Sequence, residues 1–232
     1  MVNVLISGIN GNMGRALYAN KTKNTNVSCG VDLILGGDFD CPVYKNFSEV
    51  KENVDVVIDF SSKENTVEAI KFCRANGCRL LVGTTGLSDN EVKMLENLSR
   101  SVAVFYSSNT SLGINILLSY LSAVKKIDTA VDADIIEKHR KTKKDAPSGT
   151  AIMLKKTIEK FLPSKNVNVH SIRAGNVSGE HEIIFTFKDE SISIKHTATS
   201  PSAFAVGAIK IAEKLASMKK GLYTEKDFIR MI

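Results

Sequence analysis

The chain has 232 residues, 43% of them hydrophobic, and carries 31 Lys+Arg against 25 Asp+Glu. That length can bury a core in one domain or two small ones, and no apolar run approaches the ~20 residues needed to span a bilayer. The net charge of +6 is local: removing the five cations between positions 138 and 144 leaves 26 against 25, and with 6% aromatics and no tryptophan the composition argues against a nucleic-acid surface.

In chain order, residues 2–7 read as a buried strand and 8–14 as a glycine-rich turn, with a helix from about Met13 toward Lys21. Residues 27–31 form a second strand ending at Asp32, and 54–59 a third. A helix from about Asn65 to Asn76 follows, then a strand at 79–82 leaving through Gly83-Thr84-Thr85-Gly86. Ser88 caps a helix reaching Ser99, with Glu91 completing a capping box, and 102–105 is a fifth strand. Short apolar strands alternating with helices call for a parallel sheet covered on both faces.

The pattern changes after Asn109. A helix is expected at 113–126, then a strand at 133–137 feeding a basic loop, then a helix at 150–161 stopped by Pro163. Strands follow at 167–173, 182–188 and 191–196, and residues 203–218 return to helix. This second pattern is α+β with antiparallel strands. No linker composition separates the two patterns. Residues 4–9 begin at once as a strand, with no cationic leader or cleavage pattern, so a cytoplasmic protein is expected. Cys29, Cys41, Cys73 and Cys78 form no Cys-x-x-Cys and read as ordinary reduced thiols.

Two segments carry chemistry. The first is Gly8-Ile9-Asn10-Gly11-Asn12-Met13-Gly14, which follows a strand and opens a helix. Its glycines permit a tight turn and a close backbone approach to a pyrophosphate, which the helix N-terminus stabilises. Asp32 ends the second strand, placed to accept from adenosine ribose hydroxyls. A carboxylate there repels a 2′-phosphate, and no cation follows within the next six residues. NADH is therefore expected over NADPH. Phe60, Gly83-Thr84-Thr85 and Ser107-Ser108-Asn109 each follow an apolar strand, where a cofactor crevice lies in such sheets.

The second segment runs from Glu137 to Thr150 and packs five Lys/Arg and one His into residues 138–144. It turns at Pro147 into Ser148-Gly149-Thr150, a helix start. Free N–H groups beside cations suit a small substrate bearing carboxylates. His139 is the candidate acid; the like charges of Lys138, Arg140, Lys141 and Lys143 are expected to depress it. Lys143 is a second candidate acid. His196 reads as a packed, hydrogen-bonded histidine, while His170 and His181 have no chemical neighbours in sequence, and nothing shows the spacing of a metal site. Segment 173–181 reads equally as a turn between strands or as a lining of the substrate domain. From the residues alone, a reductase of another small amino-dicarboxylate and an NADH-holding sensor without turnover stay open.

The two segments, with Arg173-Ala-Gly-Asn-Val-Ser-Gly-Glu-His181, resemble the 4-hydroxy-tetrahydrodipicolinate reductase (dihydrodipicolinate reductase) family over nearly the whole chain. The resemblance implies an N-terminal Rossmann-type parallel sheet binding NADH or NADPH, covering 1–109 with 203–232. It also implies a central α+β domain at 110–202 with a mixed, largely antiparallel sheet that binds substrate and builds a homotetramer. By position, His139 matches the family's proton-transfer histidine and Lys143 its catalytic lysine. Arg140 stands where a substrate-contacting histidine is common, and Gly149 and Thr150 match the carboxylate-binding pair, next to Ser148. Residues 8–13, Asp32, Gly83, Thr84, Thr85 and the run Ser107, Ser108, Asn109 and Thr110 match cofactor positions. Asn12 and Leu33 replace residues that are basic in many members, which again favours NADH. The implied reaction reduces 4-hydroxy-tetrahydrodipicolinate to tetrahydrodipicolinate in the diaminopimelate route to lysine.

Overall fold

A computed structural model describes residues 1–124, 132–160, 162, 167–200, 202–225 and 227. The chain forms two compact units, Met1–Ser111 with the chain from Phe204 onward, and Leu112–Ala203. The expected helix ends at 126 and 161, the stop at Pro163 and the last residues of the first domain lie outside the described residues.

The first unit is built on β1 (Val2–Ser7), β2 (Thr25–Val31), β3 (Val43–Tyr44), β4 (Val56–Asp59), β5 (Arg79–Val82), β6 (Ala103–Tyr106) and β11 (Gly221–Tyr223). Every pairing among them is parallel, and the sheet order is β3-β2-β1-β4-β5-β6-β11. Helices α1 (Asn12–Ala19), α2 (Lys63–Asn76) and α3 (Asp89–Ser99) make the crossovers. The chain leaves β1 toward β2 and later returns to the other side of β1 with β4. This reversal opens the sheet at the C-terminal ends of β1 and β4, the place where open α/β sheets bind ligands. Leu5, Ile6, Val57, Ile58, Leu80, Leu81 and Phe105 are wholly buried, as strands covered on both faces must be. Burying each such side chain contributes about 1.5–3 kcal/mol. The capping box of Ser88 and Glu91 forms as expected. The short β3 and β11 carry too few apolar residues to stand out in sequence.

Helix α6 (Ser202–Leu215) packs Ala205, Ala208, Ile209, Ile211, Ala212 and Leu215 into buried positions. Its Glu213 accepts from Thr25 Oγ1 at 2.7 Å at the start of β2. All four cysteines are free thiols. Burial pushes Cys29 up to about 12 and Cys78 to about 11, so neither offers a thiolate. Among the described residues, no helix is long and apolar enough to cross a membrane.

The second unit holds a four-stranded sheet of β7 (Asp132–His139), β8 (Val167–Arg173), β9 (Gly179–Thr186) and β10 (Ser191–Ala198), with α4 (Leu112–Val124) and α5 (Gly149–Glu159). The order is β10-β9-β7-β8; β7 and β8 are parallel, the other pairs antiparallel. One face packs Ala133, Ile135, Ile183 and Phe185 against Leu117, Leu121, Leu154 and Ile158 of the helices. Period-two alternation places Ile136, Ile172 and Ile184 on the opposite face, where Ile172 is exposed.

Of the strand ends that differ from expectation, two matter for the site. β7 continues past Glu137 through Lys138 to His139, and β9 starts at Gly179 rather than Glu182. Short runs of polar residues hide strand there. Of these, His139 and His181 occupy the inward face, bonded by Glu137 and Ser148 instead of water.

Candidate active site

The glycine turn sits at the end of β1, at the sheet's reversal. Gly8 has φ +80°, and a Cβ on it would lie 2.9 Å from the Phe60 carbonyl oxygen. A Cβ on Gly14 would lie 2.1 Å from the Gly8 carbonyl oxygen, so only glycine lets α1 start this close to the turn. Ile9 is buried, and a Cβ on Gly30 would strike its side chain at 2.6 Å. Gly11 is the N-cap of α1, Asn12 is exposed, and Met13 is half-buried.

Asp32 accepts from the Asn10 N–H at 2.9 Å and the Ile34 N–H at 3.0 Å. The Asn10 amide reaches across to the Ile34 and Gly36 carbonyls at 2.8 and 2.9 Å. Turn and following loop are thereby tied together. Arg15, outside the fingerprint spacing, donates from Nε and NH2 to Asn10 O and Oδ1 at 3.0 and 2.8 Å, and its guanidinium lies 5.6 Å from the Phe39 ring.

The predicted loops at the other strand ends turn mostly inward. Thr84 is buried; its hydroxyl donates to Asp59 Oδ2 at 3.0 Å and accepts from the Ser61 N–H at 3.0 Å. The buried Asp59 carboxylate also accepts from Thr66 at 2.5 Å and from the Ser61 hydroxyl. Phe60 fills the space over Gly83, where a Cβ would lie 2.1 Å from its ring. Ser107 donates to the Asn109 carbonyl, Asn109 Oδ1 accepts from the Ser111 N–H, and Thr110 donates to the Phe204 carbonyl at 2.8 Å. Thr85 and Ser108 are exposed. Side chains at 84, 107, 109 and 110 therefore shape the loops. The exposed Thr85 and Ser108 and the loop backbone remain to meet a ligand. This cradle of glycines, a helix N-terminus and a strand-end carboxylate fits a dinucleotide.

The second unit assembles its polar residues around Glu137. This carboxylate is fully buried. Oε1 accepts from Arg173 NH2 at 2.7 Å and from the Ser148 N–H at 3.2 Å. Oε2 accepts from Arg173 NH1 at 2.9 Å and bonds His139 Nδ1. Arg173 NH2 also donates to the Asp145 carbonyl at 2.6 Å. Lys143 Nζ pairs with Asp145 Oδ1 at 2.8 Å. Ser148 is the N-cap of α5: its hydroxyl accepts from the Ala151 N–H at 3.2 Å and bonds His181 Nε2 at 3.1 Å. Gly149 is exposed, with open space where a Cβ would point, and Thr150 is half-buried beside it in the first turn. Arg140 is exposed, its Nε donating to Thr142.

The electrostatics follow from this packing. Burial alone would raise the Glu137 carboxyl, but hydrogen bonds from Arg173, Ser171 and His139 outweigh it and bring it to about 2. Burial pushes His139 below its ordinary value; Glu137 opposes this, and Lys143 and Arg173 add to it. The direction agrees with the sequence expectation, but the cause differs. Lys138 lies on the opposite face of β7, and Arg140 and Lys141 are exposed, so solvent screens them. His181, which has no neighbours in linear sequence, lies with its ring 5.2 Å from that of His139, and His196 lies 6.4 Å beyond it. Burial first, then these two imidazoles, bring His181 to about 4.

The site thus joins His139, Lys143 and Ser148 and adds Glu137, Arg173, Asp145 and His181. Strand register brings in Arg173 and His181: His139 pairs with Arg173 across β7/β8, and Glu137 with His181 across β7/β9. Among the described residues, no cluster of three His, Cys, Asp or Glu could hold a metal ion.

Residues 2–110 match the family model described as dihydrodipicolinate reductase, N-terminus, and residues 113–229 match its C-terminus. The chain belongs to the dihydrodipicolinate reductase family. It is 38% identical to a 4-hydroxy-tetrahydrodipicolinate reductase of Caldanaerobacter subterraneus subsp. tengcongensis, over 99% of each chain. It is 35% identical to one of Clostridium tetani, over 96% of this chain and 95% of that one. A dipicolinate-bound dihydrodipicolinate reductase from Paenisporosarcina sp. TG-14 has the same fold, with a TM-score of 0.82 at 22% identity, covering 97% of this chain and 99% of that one. Two-part family matches, meeting at 110–113, follow the same break as the two compact units.

Proposed function

We propose that this protein reduces 4-hydroxy-tetrahydrodipicolinate to tetrahydrodipicolinate with NADH or NADPH, in the diaminopimelate route to lysine, as its named relatives do. The observation that carries this reading is the assembly of His139, Lys143 and the start of α5 around one buried carboxylate in a chain of this family. The first unit binds the dinucleotide through residues 8–13, Asp32, Gly83 to Thr85 and the 107–110 loop; the second binds the substrate. The nicotinamide, when bound, supplies hydride from C4. His139 holds the proton at Nε2 and delivers it to the carbon next to the reduced one. The Gly149 and Thr150 N–H groups and the Thr150 hydroxyl hold one carboxylate of the cyclic imine, and Lys143 or Arg140 holds the other. A charge pair at ~4 Å contributes about 4 kcal/mol at an effective dielectric of ~20, before desolvation is subtracted. Negative charge gathers on the ring as hydride arrives, so these cations favour the transition state. A dianionic substrate also raises the depressed His139, protonating the acid when it is needed.

NADH is the preferred cofactor in this reading. Leu33 and Asn12 offer no cation, and the Arg15 guanidinium is held by Asn10 and Phe39. The test is oxidation of NADH, and separately NADPH, by purified protein with substrate made in situ by dihydrodipicolinate synthase from pyruvate and aspartate semialdehyde. Synthase-dependent oxidation with the higher kcat/KM for NADH is expected. No oxidation, from folded protein that still binds NADH, would move a sensing role to first place.

The protein is cytoplasmic and homotetrameric in this reading. The open face of the second sheet supports assembly: Ile136, Ile172 and Ile184 sit among the Lys195–Glu180 and His170–Asp134 pairs at 2.9 and 2.8 Å. Sedimentation equilibrium should give the mass of four chains, and Ile172→Asp with Ile184→Asp should lower it. A monomer mass for the wild type would reject this assembly.

A further inference from the structure

Glu137 and Arg173 have no part in the chemistry described so far, yet the whole polar cluster hangs on them. Two neighbouring rungs of the sheet explain why. One rung carries Glu137 between Ser171 and His181; the next carries His139 beside Arg173. Glu137, His139 and His181 are buried on the face that carries Ala133 and Ile135, with Arg173 half-buried beside them. A carboxylate at that place must be saturated with donors to stay charged. Its donors are the two arms of the Arg173 fork, the Ser148 N–H, His139 Nδ1 and the Ser171 side chain.

Resting on the reductase reading, we propose that Glu137 and Arg173 are positioning residues. Glu137 holds His139 as the Nδ1–H tautomer and so makes Nε2 the atom that carries and releases the proton. Arg173 keeps that carboxylate charged and, through the Asp145 carbonyl, ties the Lys143 loop to the same point.

Gly179 lies beside Nε2. A Cβ at 179 would lie 3.1 Å from that nitrogen, so a side chain there would crowd it and glycine does not. An acceptor at Nδ1 also stabilises the imidazolium that a general acid needs and orients the neutral ring left after proton transfer. The other charged or titratable groups facing His139 are Lys143 and Asp145 from the loop, Arg173 from β8, and His181 from β9 with His196 of β10 behind it. Of these, Lys143, Arg173 and burial oppose the imidazolium, and Glu137 is the group that favours it. The buried carboxylate further bonds the Ser148 N–H at the start of α5, so acid and carboxylate clamp share one anchor.

Ring-15N histidine NMR tests this without turnover. In the wild type, neutral His139 should show the Nδ1–H pattern. In Glu137→Gln, Arg173 still engages the amide oxygen and the amide NH2 faces Nδ1. His139 should then switch to the Nε2–H pattern and titrate at lower pH than in the wild type. The loss of kcat with rising pH should move to lower pH, and kcat near neutrality should fall about 10²-fold or more, with KM changing less. An Nε2–H pattern in the wild type overturns the proposal, and so does an unchanged tautomer and titration in Glu137→Gln. The wild-type spectrum decides the matter if the variant does not fold. Absence of reductase activity with the Nδ1–H pattern intact would count against the reaction assigned above, not against this arrangement.

Discussion

His139→Ala is expected to lower kcat by about 10²–10⁴-fold while changing KM little. The imidazole has one nitrogen anchored on a buried carboxylate and the other beside Gly179, where a side chain would crowd it. Removing it takes away a proton delivered only in the transition state, which is the pattern that lowers kcat and kcat/KM together. Thr150→Val should do the reverse, mainly raising KM, because a carboxylate clamp acts on bound substrate and transition state alike. Steady-state kinetics of both variants in the coupled assay check this division. Equal KM effects from the two would reject it. In the wild type, activity should be highest on the acid side and fall as pH rises, because the active form is protonated and burial keeps His139 below its ordinary value.

Arg173→Ala is expected to be the most destabilising substitution in the second unit, by about 3–5 kcal/mol at neutral pH. It strips a fully buried carboxylate of both guanidinium donors and leaves the charge without a counter-ion. The pH dependence has a definite sign. Glu137 is held at about 2 in the folded chain against an ordinary 4.5. Its pairing therefore stabilises the fold above about pH 4.5, and that contribution is lost as pH falls toward 2. The gap between wild type and variant should narrow over that window. His181 acts differently. Held at about 4 against an ordinary 6.5, it must stay neutral when folded, so acidification from 6.5 to 4 destabilises wild type and variant together. Urea unfolding followed across this range separates the two. A gap that stays constant down to pH 2 would show that Arg173 stabilises by packing rather than by charge.

The elements legible in the sequence were those whose apolar residues face two layers. β1, β4 and β5 are apolar runs because both faces are covered, and Ser88 with Glu91 marks α3 through a cap that depends only on local spacing. The glycine turn was legible for a similar reason: Gly8 and Gly14 meet backbone within a few residues of themselves or across one strand. Even the anion-ready start of α5 could be read, because Pro147 and Ser148 stand next to the helix they open. The extension of β7 to His139 and of β9 back to Gly179 could not. Their polar inward residues look like loop until a neighbouring strand supplies the partners.

The amino-acid sequence by itself determined the order of the longer strands and the helices, the dinucleotide turn, the cationic segment and its helix start, and the family. Each depends on residues close together along the chain, where spacing fixes geometry. Tertiary structure alone decided which polar side chains turn inward, as Thr84, Ser107 and Asn109 do, and which stay exposed, as Thr85 and Ser108 do. It alone brought Arg173, 36 residues away, onto Glu137, and His181 onto Ser148, 33 residues away. It also replaced like-charge repulsion by burial as the main force on His139. The physical reason is the same throughout. Charge and hydrogen bonding act over a few ångströms in space and are screened in water. Their effect therefore depends on strand register and burial, neither of which a linear spacing contains.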